Sequence, residues 1–190
     1  MEKLPVEPNP WQTLSGEVKM DTPWIEVSLH QVINPSGTPG IYGVTRFKNR
    51  AIGILVLDEQ MNTWIVGQFR YPIDTYSWEI PEGGGSLNED PIDSAKRELK
   101  EEAGIEAKNW TVLQTLHTSN SATNEYAIIY LATGLSYGES EPEPDEQLQI
   151  LKLPFEELYE RVKSGEVTDS LTVAAVYRLK LLLMEGFLIP

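Results

Sequence analysis

Gly83, Glu89, Arg97, Glu98, Glu101, Glu102 and Gly104 stand at fixed offsets within the segment Gly83–Ile105, which reads GGGSLNEDPIDSAKRELKEEAGI. Its local grammar predicts a short helix. Asp90 is a good N-cap, Pro91 fits the first helical position, and Gly104 is placed to end the helix in a left-handed conformation. Between them Ile92, Ala95 and Leu99 recur at helical spacing and make an inward apolar stripe. Glu98 and Glu102 are one turn apart and Glu101 is close to both, so the carboxylates crowd one side. Like charges at such spacing cost about 0.2–0.5 kcal/mol per pair when nothing screens them. A chain that keeps them together has reason to neutralise them with a cation. Carboxylate oxygen is the ligand that magnesium and manganese prefer, and magnesium commonly completes its shell with water and substrate phosphate. The KRELKEE stretch alone would read as an ordinary solvated helix face; the whole arrangement points to chemistry.

Taken in full, Gly83, five residues, Glu89, seven residues, then Arg97-Glu98-Leu99-x-Glu101-Glu102-x-Gly104-Ile105 resembles the Nudix box at every defined position. The resemblance implies a metal-dependent hydrolase that cleaves a nucleoside diphosphate joined to another group, with water attacking phosphorus. Metal would neutralise the diphosphate, stabilise the transition state and acidify the water. It implies Glu98 and Glu102 as principal metal ligands, with Glu101 assisting and Glu82, through its carbonyl, as a further ligand. Mg2+ is the expected ion, with Mn2+ able to replace it. Arg97 would hold the glutamates in place by charge-assisted hydrogen bonds, and Glu89 would organise the entry to the helix. Gly83–Gly85 would let the backbone pass close to the metal, or simply make a turn.

The stretches Gln68-Phe69-Arg70-Tyr71-Pro72 and Trp78-Glu79-Ile80-Pro81-Glu82-Gly83, with the Trp24-Ile-Glu-Val opening, look like the ADP-ribose and nucleoside-diphosphate-sugar pyrophosphatases. In that group Arg70 would contact the diphosphate, unless it serves as a salt-bridge partner. Trp24 and Tyr71 are candidates to stack on the base, with core or dimer packing the other reading of Trp24. Glu79 would contact substrate or pair with Arg70. ADP-ribose pyrophosphatases often carry a proline beyond the box where this chain has Ser121, which widens the expectation to nucleoside diphosphate sugars in general. The group's general base usually lies outside the box. The acidic loop Glu139–Glu146 supplies Glu146 as first candidate, Glu143 as second and Asp145 as third. Glu146, Glu143, Glu101 and Arg97 are thus the candidate catalytic residues. His30 and His117 belong to no cluster and read as structural.

The rest of the chain must position these groups. With 190 residues and a net charge of −14, it is long enough for a full core and poorly suited to nucleic acid or an anionic membrane. No cysteine is present, which excludes disulfides, a thiol nucleophile and zinc–thiolate sites. The N-terminus lacks the apolar centre of a signal peptide and no stretch could span a membrane, so a cytoplasmic location is expected. Residues 1–22 are Pro-rich and read as extended. Strands are predicted near residues 24–33, 41–47, 51–57, 63–69, 111–116, 125–133 and 147–153, with 51–57 and 63–69 forming a hairpin about Asp58–Asn62. Helices are predicted over 154–163, closed by Gly165, and 170–184.

The expected fold is a Nudix-type α/β/α sandwich with a mixed sheet, preceded by N-terminal β-strands. The expected domains are a 1–47 extension for dimerisation and base binding and a 48–190 hydrolase domain. The expected partners are a nucleotide-sugar substrate and a second copy of the chain, because the resembled group dimerises through these strands and Trp11 and Trp24 look exposed. Two other functions compete: a house-cleaning nucleoside triphosphate hydrolase, against which the N-terminal extension counts, and a non-catalytic nucleotide-sugar sensor, against which the intact box counts.

Overall fold

The computed structural model describes residues 3–140 and 148–187. Contacts divide the chain into two units, Met1–Lys48 with Ser119–Asn124, and Asn49–Thr118 with Glu125–Pro190.

The first unit is an antiparallel meander of β1 (Gln12–Asp21), β2 (Ile25–Ile33) and β3 (Pro39–Phe47). The β2–β3 turn is built by Asn34, whose Oδ1 accepts from the N–H groups of Ser36 and Thr38, both at 3.0 Å. Within the stretch 1–22 read as extended, residues 12–21 go further and pair along β2 from Gln12↔Ile33 to Asp21↔Glu26. Every residue of β1 is exposed. A strand with no buried face carries no apolar alternation, so periodicity could not reveal it. The segment Ser119–Asn124 is tied to β3, with Thr45 N–H donating to the Ala122 carbonyl at 3.0 Å and Phe47 N–H to Asn124 Oδ1 at 2.6 Å.

The second unit contains β4 (Asn49–Val56), β5 (Asn62–Arg70), a 3-10 turn (Tyr71–Ile73), β6 (Thr75–Glu79), β7 (Glu82–Ser86), α1 (Pro91–Ala103), β8 (Ile105–His117), β9 (Tyr126–Tyr137), β10 (Gln149–Pro154), α2 (Phe155–Ser164) and α3 (Ser170–Met184). One sheet has the order β7-β4-β9-β8 and is mixed, since β4 and β9 run parallel while the other pairs are antiparallel. A second, antiparallel sheet has the order β10-β5-β6.

Residues 51–57 and 63–69 therefore do not form the expected hairpin. The Asp58 turn closes, with Asp58 N–H donating to the Asn62 carbonyl at 3.0 Å and Asp58 Oδ1 accepting from Asn62 N–H at 2.7 Å. Beyond it the strands separate into different sheets, because β4 finds β7 and β9 on its two edges and β5 finds β10 and β6. The β4 pattern decides the layers. Ile52, Ile54 and Val56 pack with Ala95 and Leu99 of α1, whereas Leu55, with Leu57 just beyond the strand, joins Ile129, Leu131, Leu158, Val176 and Leu179 on the side of α2 and α3. Each such fully buried aliphatic chain contributes about 1.5–3 kcal/mol. Helices thus cover both faces of a mixed sheet, the expected α/β/α sandwich.

Candidate active site

Helix α1 forms as its sequence dictates. Asp90 accepts from Ile92 N–H at 3.2 Å, Pro91 opens the helix, and Gly104 closes it at φ 64°, its N–H reaching the Leu99 and Lys100 carbonyls. Ala95 and Leu99 are fully buried, and that fixes the rotation of the helix. Glu102 is drawn to the inner side and is only 3% exposed, whereas Glu101 lies at the rim. Glu89 ties down the helix entry by accepting from Ser94 Oγ at 2.8 Å.

The α1 carboxylates meet strand β7, the edge strand beside β4. Glu102 Oε2 accepts from Glu82 N–H at 3.0 Å. Glu98 lies directly over Gly83: a Cβ added there would be 2.6 Å from Glu98 Oε1 and nearer still to Cδ and Oε2. Gly83 does not adopt a left-handed backbone. Its missing side chain therefore serves to make room for a carboxylate, within a strand rather than a turn. Arg97 bridges outward, with Nη2 2.9 Å from Glu98 Oε1 and Nη1 3.0 Å from Glu101 Oε2. Burial works against its charge, but Glu98 and Glu101 outweigh that and raise its pKa.

A second group of charges adjoins the first. Arg70, at the end of β5, donates Nε to Glu79 Oε1 and Oε2 at 3.0 and 3.1 Å, pairs through Nη2 with Glu79 Oε2, and reaches Glu82 Oε1 at 2.8 Å. The bidentate Glu79 contact pushes the guanidinium pKa up, locking the charge in place. Glu79, Glu82 and Asp169 each present an oxygen within 4.8 Å of the others. Glu82 is held well above the usual carboxylate range, first by burial, then by the like charges of Asp169 and Glu79. Its Oε2 is buried without a hydrogen-bond partner among the described residues.

Structure thus brings together Glu98, Glu101, Glu102 and Arg97 on α1, Glu82 on β7, Glu79 on β6 and Arg70 on β5. Tyr71 follows Arg70 on the 3-10 turn and is 91% exposed. Trp24 lies between β1 and β2 in the other unit and is 69% exposed, which removes the core-packing reading. Ser121 falls in the segment that belongs to that same unit, where its carbonyl accepts from Tyr42 Oη. His30 bonds Ser28 Oγ at 2.9 Å and His117 packs on Tyr126. Glu143, Asp145 and Glu146 lie outside the described residues. Sequence reasoning missed Asp169 and Thr172. Asp169 precedes the 170–184 helix and caps it, accepting from Thr172 N–H at 2.7 Å. A cap there was legible, but nothing local says that it faces Glu79 and Glu82.

The donor set suits a hard divalent cation. Every candidate ligand atom is an oxygen, two glutamates converge on a glycine strand, and one buried carboxylate oxygen has no partner among the described residues. Glu98, Glu101 and Glu102 would hold such an ion, with Glu82 beside them.

Comparison with known proteins agrees with this geometry. The NUDIX domain family matches residues 47–172, and the nucleoside diphosphate sugar hydrolase N-terminal domain matches residues 11–45. The chain is 30% identical over 172 residues to the ADP-ribose pyrophosphatase of Bacillus subtilis, covering 90% of this chain and 89% of that one. It has the same identity and coverage against the methanol dehydrogenase activator of Bacillus methanolicus. A solved ADP compounds hydrolase superposes with a TM-score of 0.83 over 96% of this chain and 98% of that chain, at 18% identity, and shows the fold.

Proposed function

Since the chain belongs to the Nudix family, as a pyrophosphatase of the ADP-ribose and nucleoside-diphosphate-sugar group, we propose that it hydrolyses the pyrophosphate bond of ADP-ribose and related nucleoside diphosphate sugars to a nucleoside monophosphate and a sugar phosphate. The observation that carries this reading is the meeting of the α1 glutamates with strand β7 beside Arg70, which sets a cation-binding group next to an anion-binding one. The net charge of −14 fits a small anionic substrate brought in with its counter-ion.

Glu98, Glu102 and Glu101 would hold Mg2+ or Mn2+, which would neutralise the diphosphate and lower the pKa of the attacking water. The chain's own groups do the rest. Arg70, fixed in orientation by Glu79 and Glu82, directs its guanidinium at the diphosphate; among the described residues its Nη1 has no hydrogen-bond partner. Arg97 stays behind the glutamates and sets their rotamers. Water adds to one phosphorus as the bridging P–O bond breaks, and a carboxylate of the acidic loop, Glu146 first and Glu143 second, takes the water's proton. Exposed Trp24 and Tyr71 are the proposed base-stacking groups, with residues 1–47 as the base-binding and dimerising part and 48–190 as the hydrolase domain.

A panel of nucleotide sugars with magnesium tests this reading. Turnover of ADP-ribose or a relative in preference to dATP and dGTP is expected. Preference for the triphosphates would replace the reading with house-cleaning hydrolysis, and tight binding without turnover would replace it with sensing.

Strand β1 is exposed along its whole length and carries Leu14, Val18 and Met20 at the surface, with Leu29 and Ile41 exposed on β2 and β3. Such a surface supports a homodimer through the N-terminal strands. Light scattering is expected to give twice the 21.4 kDa chain mass; a monomer mass at micromolar concentration would count against it.

A further inference from the structure

Between β6 and β7 the chain passes from one sheet to the other through Ile80 and Pro81, and three successive residues there each give one backbone group to a different element. Ile80 N–H donates to Thr172 Oγ1 of α3 at 2.9 Å. The Pro81 carbonyl accepts from Ile54 N–H of β4 at 2.8 Å. Glu82 N–H donates to Glu102 Oε2 of α1 at 3.0 Å. This junction carries Glu79 on one side and Glu82 and Gly83 on the other, so its position sets that of both charge groups described above.

Of the three anchors, only the one from α3 is a neutral side chain, and it comes from far along the sequence. Thr172 is fully buried. An amide can only donate, so Oγ1 accepts from Ile80 and must send its own proton elsewhere. It donates to Asp169 Oδ2 at 2.8 Å, and the same oxygen takes Thr172 N–H at 2.7 Å. The helix cap thus orients the hydroxyl, and the hydroxyl holds the junction. Both donor and acceptor functions are in use, which valine, of nearly the same shape, could not supply. Ile80 N–H would then be buried without a partner, and the junction would keep its tie to α1 at Glu82 but lose the one to α3, so that Glu79 and Ile80 could shift against the α1 glutamates.

We propose that Thr172, oriented by Asp169, is a positioning residue for the hydrolytic reaction: it holds the Glu79–Gly83 junction in register with the α1 glutamates without touching substrate or metal. The proposal rests on the pyrophosphatase reading above for its kinetic test, but not for its binding test. Groups bonded directly to metal ligands typically alter metal affinity or activity about ten- to a hundredfold when removed, and Thr172, acting one residue further out through the Ile80 amide, is expected at the lower end.

The test uses the full chain with Thr172→Val, Thr172→Ala and Thr172→Ser. Mn2+ alone is titrated and followed by electron paramagnetic resonance, and kcat, KM and the thermal midpoint are measured with the nucleotide sugar that the wild type turns over best. Thr172→Val is expected to bind Mn2+ about tenfold more weakly and to lose about tenfold or more in kcat, with KM within about twofold, while Thr172→Ser keeps both near wild type. Should Thr172→Val fail to fold, Thr172→Ala, which deletes the hydroxyl without adding bulk, is read in the same way. Variants that lose thermal stability yet keep Mn2+ affinity and kcat within twofold would overturn the proposal and leave Thr172 a merely structural residue. A wild type that turns over no panel member would instead overturn the pyrophosphatase reading, and the Mn2+ titration would still decide the role of Thr172.

Discussion

Glu102→Gln is expected to lower kcat by about 10³-fold or more while leaving the fold intact. Glutamine has the size of glutamate and keeps an oxygen that can accept from Glu82 N–H, which donates to Glu102 Oε2 at 3.0 Å. The change therefore removes a charge without removing that contact. Glu102 is only 3% exposed and stands close enough to Glu82 to help push the Glu82 carboxyl up. Deleting its charge relieves that repulsion, so the thermal midpoint should hold or rise by a few degrees. Activity and stability thus move in opposite directions, as expected where a site concentrates like charges for a ligand. The reading of Glu102 as a metal-holding residue fails if kcat stays within tenfold of wild type, or if activity and stability fall together.

Gly83→Ala should rank second, with kcat about 10²-fold lower and a higher magnesium requirement, because small misplacements of catalytic groups carry costs of this size. The added Cβ would stand 2.6 Å from Glu98 Oε1, and the carboxylate must swing away. The obstacle is the end of a flexible side chain rather than backbone, and Gly83 has no left-handed φ to strain. The loss of stability should therefore stay below about 1 kcal/mol. Its neighbours provide internal controls. A Cβ at Gly84 meets only Asn49 Nδ2 closely, at 3.1 Å, and should be nearly silent. A Cβ at Gly85 would press on Ile52 Cγ1 at 2.9 Å inside the core, so Gly85→Ala should cost stability rather than catalysis. Circular dichroism melts beside steady-state assays across a magnesium titration would separate the three. Equal effects at Gly83 and Gly84 would show that the glycine run acts through backbone freedom and not through space for Glu98.

The contrast between these glycines shows where local reasoning stops. Their run is visible in the sequence, yet one of its two local readings, a plain turn, is not what the chain builds. The segment EGGGS has no β-branched residue and no alternation, and it becomes strand β7 because β4 offers it a ladder from Gly53↔Glu82 to Asn49↔Ser86. The hairpin expected about Asp58 failed for the same reason. The turn is encoded by Asp58 and Asn62, whereas strand partners are chosen by distant segments. Helix α1, by contrast, begins and ends where Asp90 and Gly104 say it should, because caps, stripe and terminator all act within a few residues.

By itself, then, the amino-acid sequence determined the helix of glutamates and the layering of helices on a mixed sheet, since these rest on interactions of short range and on periodic burial, and it carried the box whose resemblance points to the family. Only the tertiary structure decided that Gly83 makes room for Glu98, that Arg70 is held by Glu79 and Glu82, and that Asp169 and Thr172 reach the same junction from α3. Those contacts join residues far apart in the chain. Their partners are selected by packing of the whole unit, which no local spacing records.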